Sequence, residues 1–277
     1  MRKEDFTFVI TTFKSENMIF KCLDNIPAES NKIIIENSGN YKLKSNLEDK
    51  YANLECLVME SNLGFGKANN IGIRKCLTEY AFILNPDVIL TNEKFNEILK
   101  KLKNETFSVA APIDRSNKIN FANKDFLEVN EVRGFAMILD LKNTKKILFD
   151  ENIFLYLEEI DLCKRIRSEN GRILILNTEV QHLGGASHGS KYNFEMEKSR
   201  NWHWMWSKFY YNKKHYGYLN ALYKVSNNLI SAIFKYFYFL FTFNRHQRKI
   251  YFMRLSGLFN SIIGKSSWYR PRTKKID

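Results

Sequence analysis

Three short segments in the first two-thirds of the chain carry side chains that together could act on a phosphorylated substrate. Asp87 ends the segment Asn85-Pro86-Asp87, three acids lie within residues 158–161, and His182 begins a loop rich in Gly and Ser. A carboxylate and an imidazole can hold a divalent cation, and a second carboxylate can remove a proton as a general base. This combination favours group transfer from a phosphorylated donor.

Asp87 follows the apolar run Ala81–Leu84 and is preceded by Pro86. Proline has no N–H to give to a sheet, so the strand should stop there and Asp87 should project from a stiff loop. A hard cation that bridges two phosphates needs oxygen ligands, often only one or two of them from protein. Asp87 could supply one such ligand; the alternative is an Asp that caps a turn.

Glu158, Glu159 and Asp161 crowd the start of a predicted helix, directly after the aromatic and apolar run Ile153–Leu157. Carboxylates this close repel one another, and partial burial would raise the pKa of at least one of them towards that of a useful base. The structural alternative is that acids at a helix N-terminus, followed by basic residues, complement the helix dipole.

His182 opens the loop 182–190, which follows the strand-like segment Arg172–Leu176. A neutral imidazole is a good ligand for Mn²⁺-like ions, and the backbone amides of a Gly/Ser loop can surround a diphosphate. The alternative is a His that hydrogen bonds hold in a structural role.

Two earlier loops also place polar groups after predicted strands. Glu36 could accept the ring N–H of a pyrimidine base, because a carboxylate is a strong and directional acceptor; otherwise it is a surface turn residue. In the segment Asn62–Asn70, Gly64 and Gly66 would let the backbone approach a ligand closely. Lys67 could meet a phosphate there, and the helix that follows would offer its N-terminus to an anion. A simple glycine turn is the alternative.

The first half of the chain alternates predicted strands and helices. This alternation predicts an α/β fold with a mainly parallel sheet and with ligands at the carboxyl ends of the strands. A dinucleotide-binding fold is set aside because Thr11-Thr12-Phe13-Lys14, without glycine, follows the first strand, and no phosphate-binding P-loop is present. The predicted strands are Phe6–Thr12, Lys32–Ile35, Leu54–Met59, Tyr80–Leu84 and Phe107–Ile113, and the predicted helices begin after Ser15 and cover Ala68–Leu77 and Glu93–Leu102.

The net charge of +13 is concentrated in the last third of the chain. Residues 191–277 hold 17 Lys and Arg against three Asp and Glu, whereas residues 1–190 are nearly neutral. A basic tail on a neutral body indicates an anionic partner surface. The four widely spaced Cys residues fit a reduced protein without a zinc site, and the N-terminus has no signal-peptide pattern, so we expect a cytoplasmic location.

The tail contains the mostly apolar segment Leu229–Phe243, interrupted by Lys235. Its fifteen residues are too few to span a bilayer, which takes roughly 20. Aromatic residues with basic flanks favour a helix that lies in the membrane interface. A helical cap over the core is the alternative, and aromatic residues among Lys and Arg also suit RNA, but no RNA-binding motif accompanies them.

Taken in order, these segments resemble glycosyltransferase family 2, the inverting nucleotide-sugar enzymes of the GT-A fold, and in particular its rhamnosyltransferase-like branch. The resemblance covers about residues 6–205. The matching pieces are Thr11-Thr12-Phe13, Asn62–Asn70, Asn85-Pro86-Asp87, Arg133-Gly134-Phe135-Ala136, Phe154–Asp161 and the His182–Ser187 loop.

The resemblance implies a role for each matching residue. Asp87 corresponds to the last carboxylate of the family's D-x-D metal motif, with Asn85 in place of the first Asp, and His182 to a metal-coordinating His. Glu159 corresponds to the catalytic base, where Asp is common, so Glu158 stays an alternative base. The residues that would contact the nucleotide, the diphosphate, the donor sugar or the acceptor are Thr12, Glu36, Asn62, Gly64, Lys67, Asn85, Gly134 and Phe135.

The resemblance also implies a domain organisation and a reaction. Residues 1–200 would form a GT-A domain that uses Mn²⁺ or Mg²⁺, and residues 201–277 would form a helical segment at the inner face of the cell membrane. The reaction would move a sugar, L-rhamnose from dTDP-rhamnose or else a hexose from UDP, onto a lipid-linked or cell-surface glycan. The alternative is a non-catalytic sugar-nucleotide or glycan-binding scaffold of a polysaccharide assembly complex.

Overall fold

The computed structural model describes residues 1–116, 118–144, 147–184 and 189–273. The chain forms two compact units, which we describe separately. The first comprises Met1–Asp150 and Glu159–Gly189, and the second comprises Glu151–Glu158 and the chain from Ser190 onward. The boundary expected at residue 200 lies inside a continuous helix, Asn193–Tyr216.

An eight-stranded sheet forms the centre of the first unit, in the order β3-β2-β1-β4-β8-β6-β9-β7. β1 is parallel to β2 and β4, β2 to β3, and β6 to β9, whereas β8 is antiparallel to both of its neighbours. The expected mainly parallel sheet is therefore confirmed. The strands are β1 (Phe6–Thr12), β2 (Asn31–Glu36), β3 (Leu54–Val58), β4 (Tyr80–Leu84), β6 (Val109–Ile113), β7 (Phe126–Glu128), β8 (Ala136–Asp140) and β9 (Ile173–Glu179).

Helices flank this sheet and bury its faces. Six of the seven residues of β1 are buried, as a central strand covered on both faces requires. Gly72 permits close approach of a helix, since a Cβ there would lie 2.4 Å from Val9 Cγ1. The helices are α1 (Glu16–Leu23), α2 (Tyr41–Lys50), α3 (Phe65–Lys75), α4 (Asn92–Leu102) and α5 (Glu158–Ser168).

The carboxyl ends of three central strands meet at one edge of the sheet. Thr12, at the end of β1, lies opposite Glu36, at the end of β2. The register between β1 and β4 places the end of β4 at the same edge. Beyond it, β5 (Val88–Ile89) pairs in antiparallel fashion with β10 (Gln181–His182), so that His182 lies opposite Val88.

The second unit consists of three helices, α6 (Asn193–Tyr216), α7 (Tyr218–Phe241) and α8 (Arg245–Ile262), which confirms the expected helical extension. α6 and α8 pack very closely at Gly257, where a Cβ would lie 2.1 Å from the carbonyl oxygen of Trp202. The predicted segment Leu229–Phe243 belongs mostly to α7. In the described part of the chain, no helix is long and apolar enough to cross a bilayer.

A neutral His lies in the core of the second unit. The His203 side chain is fully buried, and its ring stacks on Phe154 at a centroid distance of 4.3 Å. Nε2 donates to the Tyr269 carbonyl at 2.9 Å, so Nδ1 accepts from the Ser267 hydroxyl at 2.9 Å. Burial lowers the pKa of His203 to about 3; the bond to the Tyr269 carbonyl raises it in part, and the charge of the nearby Arg270 lowers it by a smaller amount.

This His makes the stability of the second unit depend on pH. Its folded pKa is depressed below the unfolded value of about 6.5, so its contribution is complete above pH 6.5 and falls as the pH drops towards 3. We expect about 2 kcal/mol less stability at pH 5 than at pH 7.5 from this group. Urea unfolding of the wild type and of His203→Gln at both pH values checks this. Equal pH dependence in the two proteins would contradict the assignment.

Candidate active site

Asp87 and His182 lie side by side, although 95 positions separate them in the sequence. The pairing of β5 with β10 brings them together, and Leu183 N–H donates to the Asp87 carbonyl at 3.0 Å. His182 Nε2 lies 3.5 Å from Asp87 Oδ1. The Asp87 side chain is only 2% exposed, so the pair is fixed by the fold and largely shielded from solvent.

His182 is held from two further sides. Its ring stacks on Phe135 at 4.8 Å with an interplanar angle of 9°. Its Nδ1 lies 3.5 Å from Asp114 Oδ2. The two carboxylates, Asp87 first and Asp114 second, raise the pKa of His182 despite its partial burial.

Asp114 is the site residue that the sequence reasoning missed. It follows β6 directly and accepts hydrogen bonds from the Ser116 N–H at 2.9 Å and hydroxyl at 2.6 Å. Arg133 Nη1 lies 3.2 Å from its Oδ2. Its position at a strand's carboxyl end, like that of Asp87, is the signal that could have identified it.

Asp87 and His182 suit a hard divalent cation. Asp87 Oδ1 is buried and makes no hydrogen bond, and the nearby Asn85 Oδ1 is in the same state. Within the described ranges, no three His, Cys, Asp or Glu side chains form a complete metal-holding group. A site with two protein ligands, completed by phosphate oxygens and water, is the usual arrangement for Mg²⁺ with a phosphorylated substrate. Asp114 would orient the ring of His182 from behind, as second carboxylates do for metal-binding His residues.

Glu159 reaches the same region through Gly134. A Cβ on Gly134 would lie 3.4 Å from Glu159 Cβ and 3.7 Å from its carboxyl carbon, so the acid packs directly against this glycine. The next residue, Phe135, is the one stacked on His182. Glu159 and His182 thus contact two successive residues, Gly134 and Phe135. Burial raises the pKa of Glu159, and the charge of Glu131 adds to the effect.

The other two acids of the segment have different surroundings. Glu158 is buried and belongs to the second unit, whereas Glu159 belongs to the first. Asp161 is fully buried, and its carboxylate lies 2.7 Å from Arg165 Nε, one turn further along α5. Arg165 also donates to the Leu148 carbonyl at 2.6 Å. Asp161 therefore anchors α5 through Arg165.

Glu36 and Thr12 share the end of the β1–β2 pair. Glu36 is fully buried, and both of its carboxylate oxygens accept hydrogen bonds, from the N–H and hydroxyl of Ser38 and from the Asn40 N–H. These bonds use the lone-pair directions of the carboxylate. Thr12 Oγ1, in contrast, is buried without a hydrogen-bond partner.

The glycine segment is braced by an asparagine pair. Asn37 Nδ2 donates to Asn62 Oδ1 at 3.2 Å and to the Gly64 carbonyl at 3.1 Å. Asn62 Oδ1 also accepts from the Gly64 N–H at 3.0 Å. Gly64, with φ +85°, turns the chain into α3, whose third residue is the exposed Lys67.

Asn85 connects this edge of the sheet to the Gly134-Phe135 dipeptide. Its N–H donates to the Phe135 carbonyl at 2.9 Å, which extends the β4–β8 pairing by one residue. The Gly/Ser loop after His182 was expected to surround a diphosphate; its residues 185–188 lie outside those that the structure describes.

Comparison with known proteins relates this geometry to one family. The chain is 22% identical to the low-salt glycan biosynthesis hexosyltransferase Agl10 of Haloferax volcanii, over 60% of this chain and 63% of that protein. It is also 22% identical to the rhamnosyltransferase WbbL of Escherichia coli K12, over 57% of this chain and 75% of that protein. The chain thus spans less than two thirds of the length of the Haloferax relative.

A solved structure shares the fold. The mannosyltransferase PcManGT of Pyrobaculum calidifontis, determined with GDP-Man and Mn²⁺, aligns with a TM-score of 0.58 at 12% identity, over 95% of this chain and 88% of that one. The family model for glycosyl transferase family 2 matches residues 7–161, which is more than half of the chain. With its sheet, its strand-end residues and this match in agreement, the chain belongs to glycosyltransferase family 2.

Proposed function

We propose that this protein is an inverting glycosyltransferase that moves a sugar from a nucleotide donor onto a glycan acceptor. The observation that carries the proposal is that Glu159 packs against Gly134, while the next residue, Phe135, stacks on His182 of the Asp87–His182 pair. This arrangement brings a proton acceptor, Glu159, and a candidate site for a phosphate-binding cation within reach of one substrate.

Glu159 acts as the general base in this proposal. Its raised pKa makes its carboxylate a stronger proton acceptor than an exposed Glu. The acceptor hydroxyl gives its proton to Glu159 while its oxygen attacks the anomeric carbon from the face opposite the nucleotide, so the configuration inverts. When bound at Asp87 and His182, a Mn²⁺ or Mg²⁺ ion would neutralise the charge that develops on the leaving diphosphate.

The neighbouring polar residues would bind the donor. Thr12 offers a buried hydroxyl without a partner at the strand edge. The braced turn of Asn62 and Gly64 and the exposed Lys67 would meet the ribose or diphosphate. Glu36 would shape this pocket through its bonds to Ser38 and Asn40 rather than read the base directly.

We propose dTDP-L-rhamnose as the donor, with a UDP-hexose as the competing donor, and a lipid-linked or cell-surface glycan as the acceptor. The similarity to a rhamnosyltransferase supports the first sugar, and the similarity to a hexosyltransferase supports the second. A scaffold that only binds sugar nucleotides would have no need of a half-buried Glu159 with a raised pKa beside the proposed donor site.

The test is release of nucleoside diphosphate from dTDP-rhamnose, UDP-glucose and UDP-galactose, with a glycolipid extract as acceptor. We expect acceptor-dependent release from one of them, and none with Glu159→Gln. Tight nucleotide binding without release from any donor would favour the scaffold instead.

We also propose that α7 lies on an anionic membrane surface, at the inner face of the cell membrane. Phe234, Phe237 and Phe241 follow helical spacing along one face and are 69%, 50% and 76% exposed. Phe243, in the turn after α7, is 85% exposed, and the exposed Arg245 begins the next helix. Aromatic residues next to cations suit a lipid interface with negative headgroups.

Co-sedimentation with phosphatidylglycerol vesicles checks this membrane proposal. We expect binding at low salt, release at high salt, and clear loss in the double variant Phe237→Ser with Phe241→Ser. Tyr41→Ser, at an aromatic residue of the first unit that is 67% exposed, is the matched control and should bind normally. Equal binding to uncharged phosphatidylcholine vesicles would remove the electrostatic part of the proposal.

A further inference from the structure

The second unit contains an open cavity of about 340 Å³ whose lining includes arginines. Its lining residues are Tyr156, Arg200, Asn201, Trp204 and Arg254. Two of the five are arginines and none is acidic. Arginine presents a planar fork of N–H donors that matches phosphate oxygens.

The surroundings of Arg254 favour the binding of an anion in this cavity. Its Nε is buried and makes no hydrogen bond within the described residues. Its guanidinium lies 5.6 Å from the centroid of the Tyr251 ring. The face of the ring stabilises the positive charge, but it is not a hydrogen-bond acceptor for the N–H groups in the guanidinium plane. A buried donor without an acceptor is costly, and an anion bound against the guanidinium in the cavity would offset part of that cost.

Further cations lie around Arg254. Burial lowers the pKa of Lys208, and the positive charges of Arg254 and Lys224 lower it further. Lys208 is oriented by a bond to Asn228 Oδ1 at 2.5 Å. Lys208 and Arg254, on α6 and α8, therefore add to the positive potential around the cavity, and the charge of Glu158 near Tyr156 offsets it in part.

The lining also includes two aromatic residues, Tyr156 and Trp204, and the backbone at Tyr156 is unusual. Tyr156 and Leu157 both have left-handed conformations, with φ values of 72° and 69°. Two such residues in succession are costly and usually persist at functional sites. They hold the Tyr156 ring edge-to-face against Trp204, at 5.5 Å and 88°. Tyr156 precedes Glu159 by only three residues in the chain.

We propose that this cavity binds the phosphate or diphosphate group of the acceptor substrate, with Arg254 and Arg200 as its anion ligands and the Tyr156–Trp204 wall against the attached chain or sugar. The assignment rests on the proposed glycosyl transfer. It makes the acceptor a phosphate ester, either a lipid-linked diphosphate or a phosphorylated soluble glycan.

Calorimetric titration of the full chain with inorganic pyrophosphate, in the presence of EDTA, tests the cavity. We expect Arg254→Gln to weaken binding by about tenfold or more, because a charge-assisted bond to phosphate is lost. Arg254→Lys should retain part of the affinity. Lys249→Gln changes an exposed basic residue on the same helix and should bind as the wild type does.

Farnesyl diphosphate and glucose 1-phosphate then distinguish the two sources of the phosphate. Tighter binding of farnesyl diphosphate than of pyrophosphate supports a lipid-linked acceptor, and tighter binding of glucose 1-phosphate supports a soluble one. No pyrophosphate binding, or equal binding by the wild type and Arg254→Gln, overturns the proposal.

Nucleotide binding separates this inference from the proposed function. Thermal stabilisation by UDP or dTDP with Mn²⁺ should be the same in Arg254→Gln and the wild type, which also shows that the variant is folded. Loss of pyrophosphate binding with intact nucleotide binding therefore concerns the cavity alone, whereas absence of nucleotide binding in the wild type concerns the proposed function.

Discussion

Glu159→Gln is expected to lower sugar transfer by about 10²–10⁴-fold while nucleotide binding stays within about twofold of the wild type. The amide keeps the size and packing of the side chain against Gly134 but cannot take a proton at neutral pH. The loss should therefore appear in kcat rather than in donor affinity. The measurement is initial-rate kinetics of nucleotide release together with nucleotide titration of the same protein.

Glu158→Gln is the control for this prediction. Glu158 immediately precedes Glu159 but belongs to the other compact unit. We expect it to keep most of the transfer activity. If Glu158→Gln were inactive and Glu159→Gln active, the base would be Glu158, and the contact of Glu159 with Gly134 would not mark the catalytic acid.

Asp87→Asn is expected to remove the effect of Mn²⁺ on nucleotide binding, with a loss of affinity of about 10²-fold or more. The change takes away the charge of a carboxylate oxygen that is buried without a hydrogen-bond partner. Asp114→Asn should cause a smaller loss, about tenfold, because Asp114 acts through the orientation of His182. Titration with UDP and dTDP at fixed Mn²⁺, and then in EDTA, measures both.

The matched control for these two variants is Asp125→Asn, at an exposed carboxylate of the same unit. It should bind metal and nucleotide as the wild type does. An order of effects in which Asp114→Asn exceeds Asp87→Asn would show that Asp114, not Asp87, is the principal carboxylate of the metal site.

The central strands of the sheet were predictable because their apolar runs are short and bounded by clear turn signals. β1 and β4 were predicted with the bounds that the structure shows. Helix α2 was not predicted, since only Leu43 and Leu47 of its ten residues are buried and its apolar periodicity is weak. Strand β8 was also not predicted, because a short apolar run such as Ala136–Leu139 does not distinguish a strand from a buried helix segment.

The residues of the candidate site could be predicted only in part. Motifs identify Asp87, Glu159 and His182 one at a time, and strand order suggests that they converge, but the partner of each side chain depends on the fold. Asp114 is a single acid in a turn, and only its position beside His182 identifies it as a candidate site residue. Asp161 was a candidate base, and the fold pairs its carboxylate with Arg165, one turn further along α5.

We propose that Asp87 and His182 together create a metal-dependent nucleotide site. The most direct test is the thermal unfolding of the wild type and Asp87→Asn with UDP, dTDP and GDP, each with and without Mn²⁺. A nucleotide at 100 times its dissociation constant should stabilise the wild type by about 2.7 kcal/mol, only when Mn²⁺ is present. Asp87→Asn should show no such gain. Stabilisation of equal size in both proteins, or no stabilisation by any nucleotide, would contradict a metal-dependent nucleotide site at Asp87 and His182.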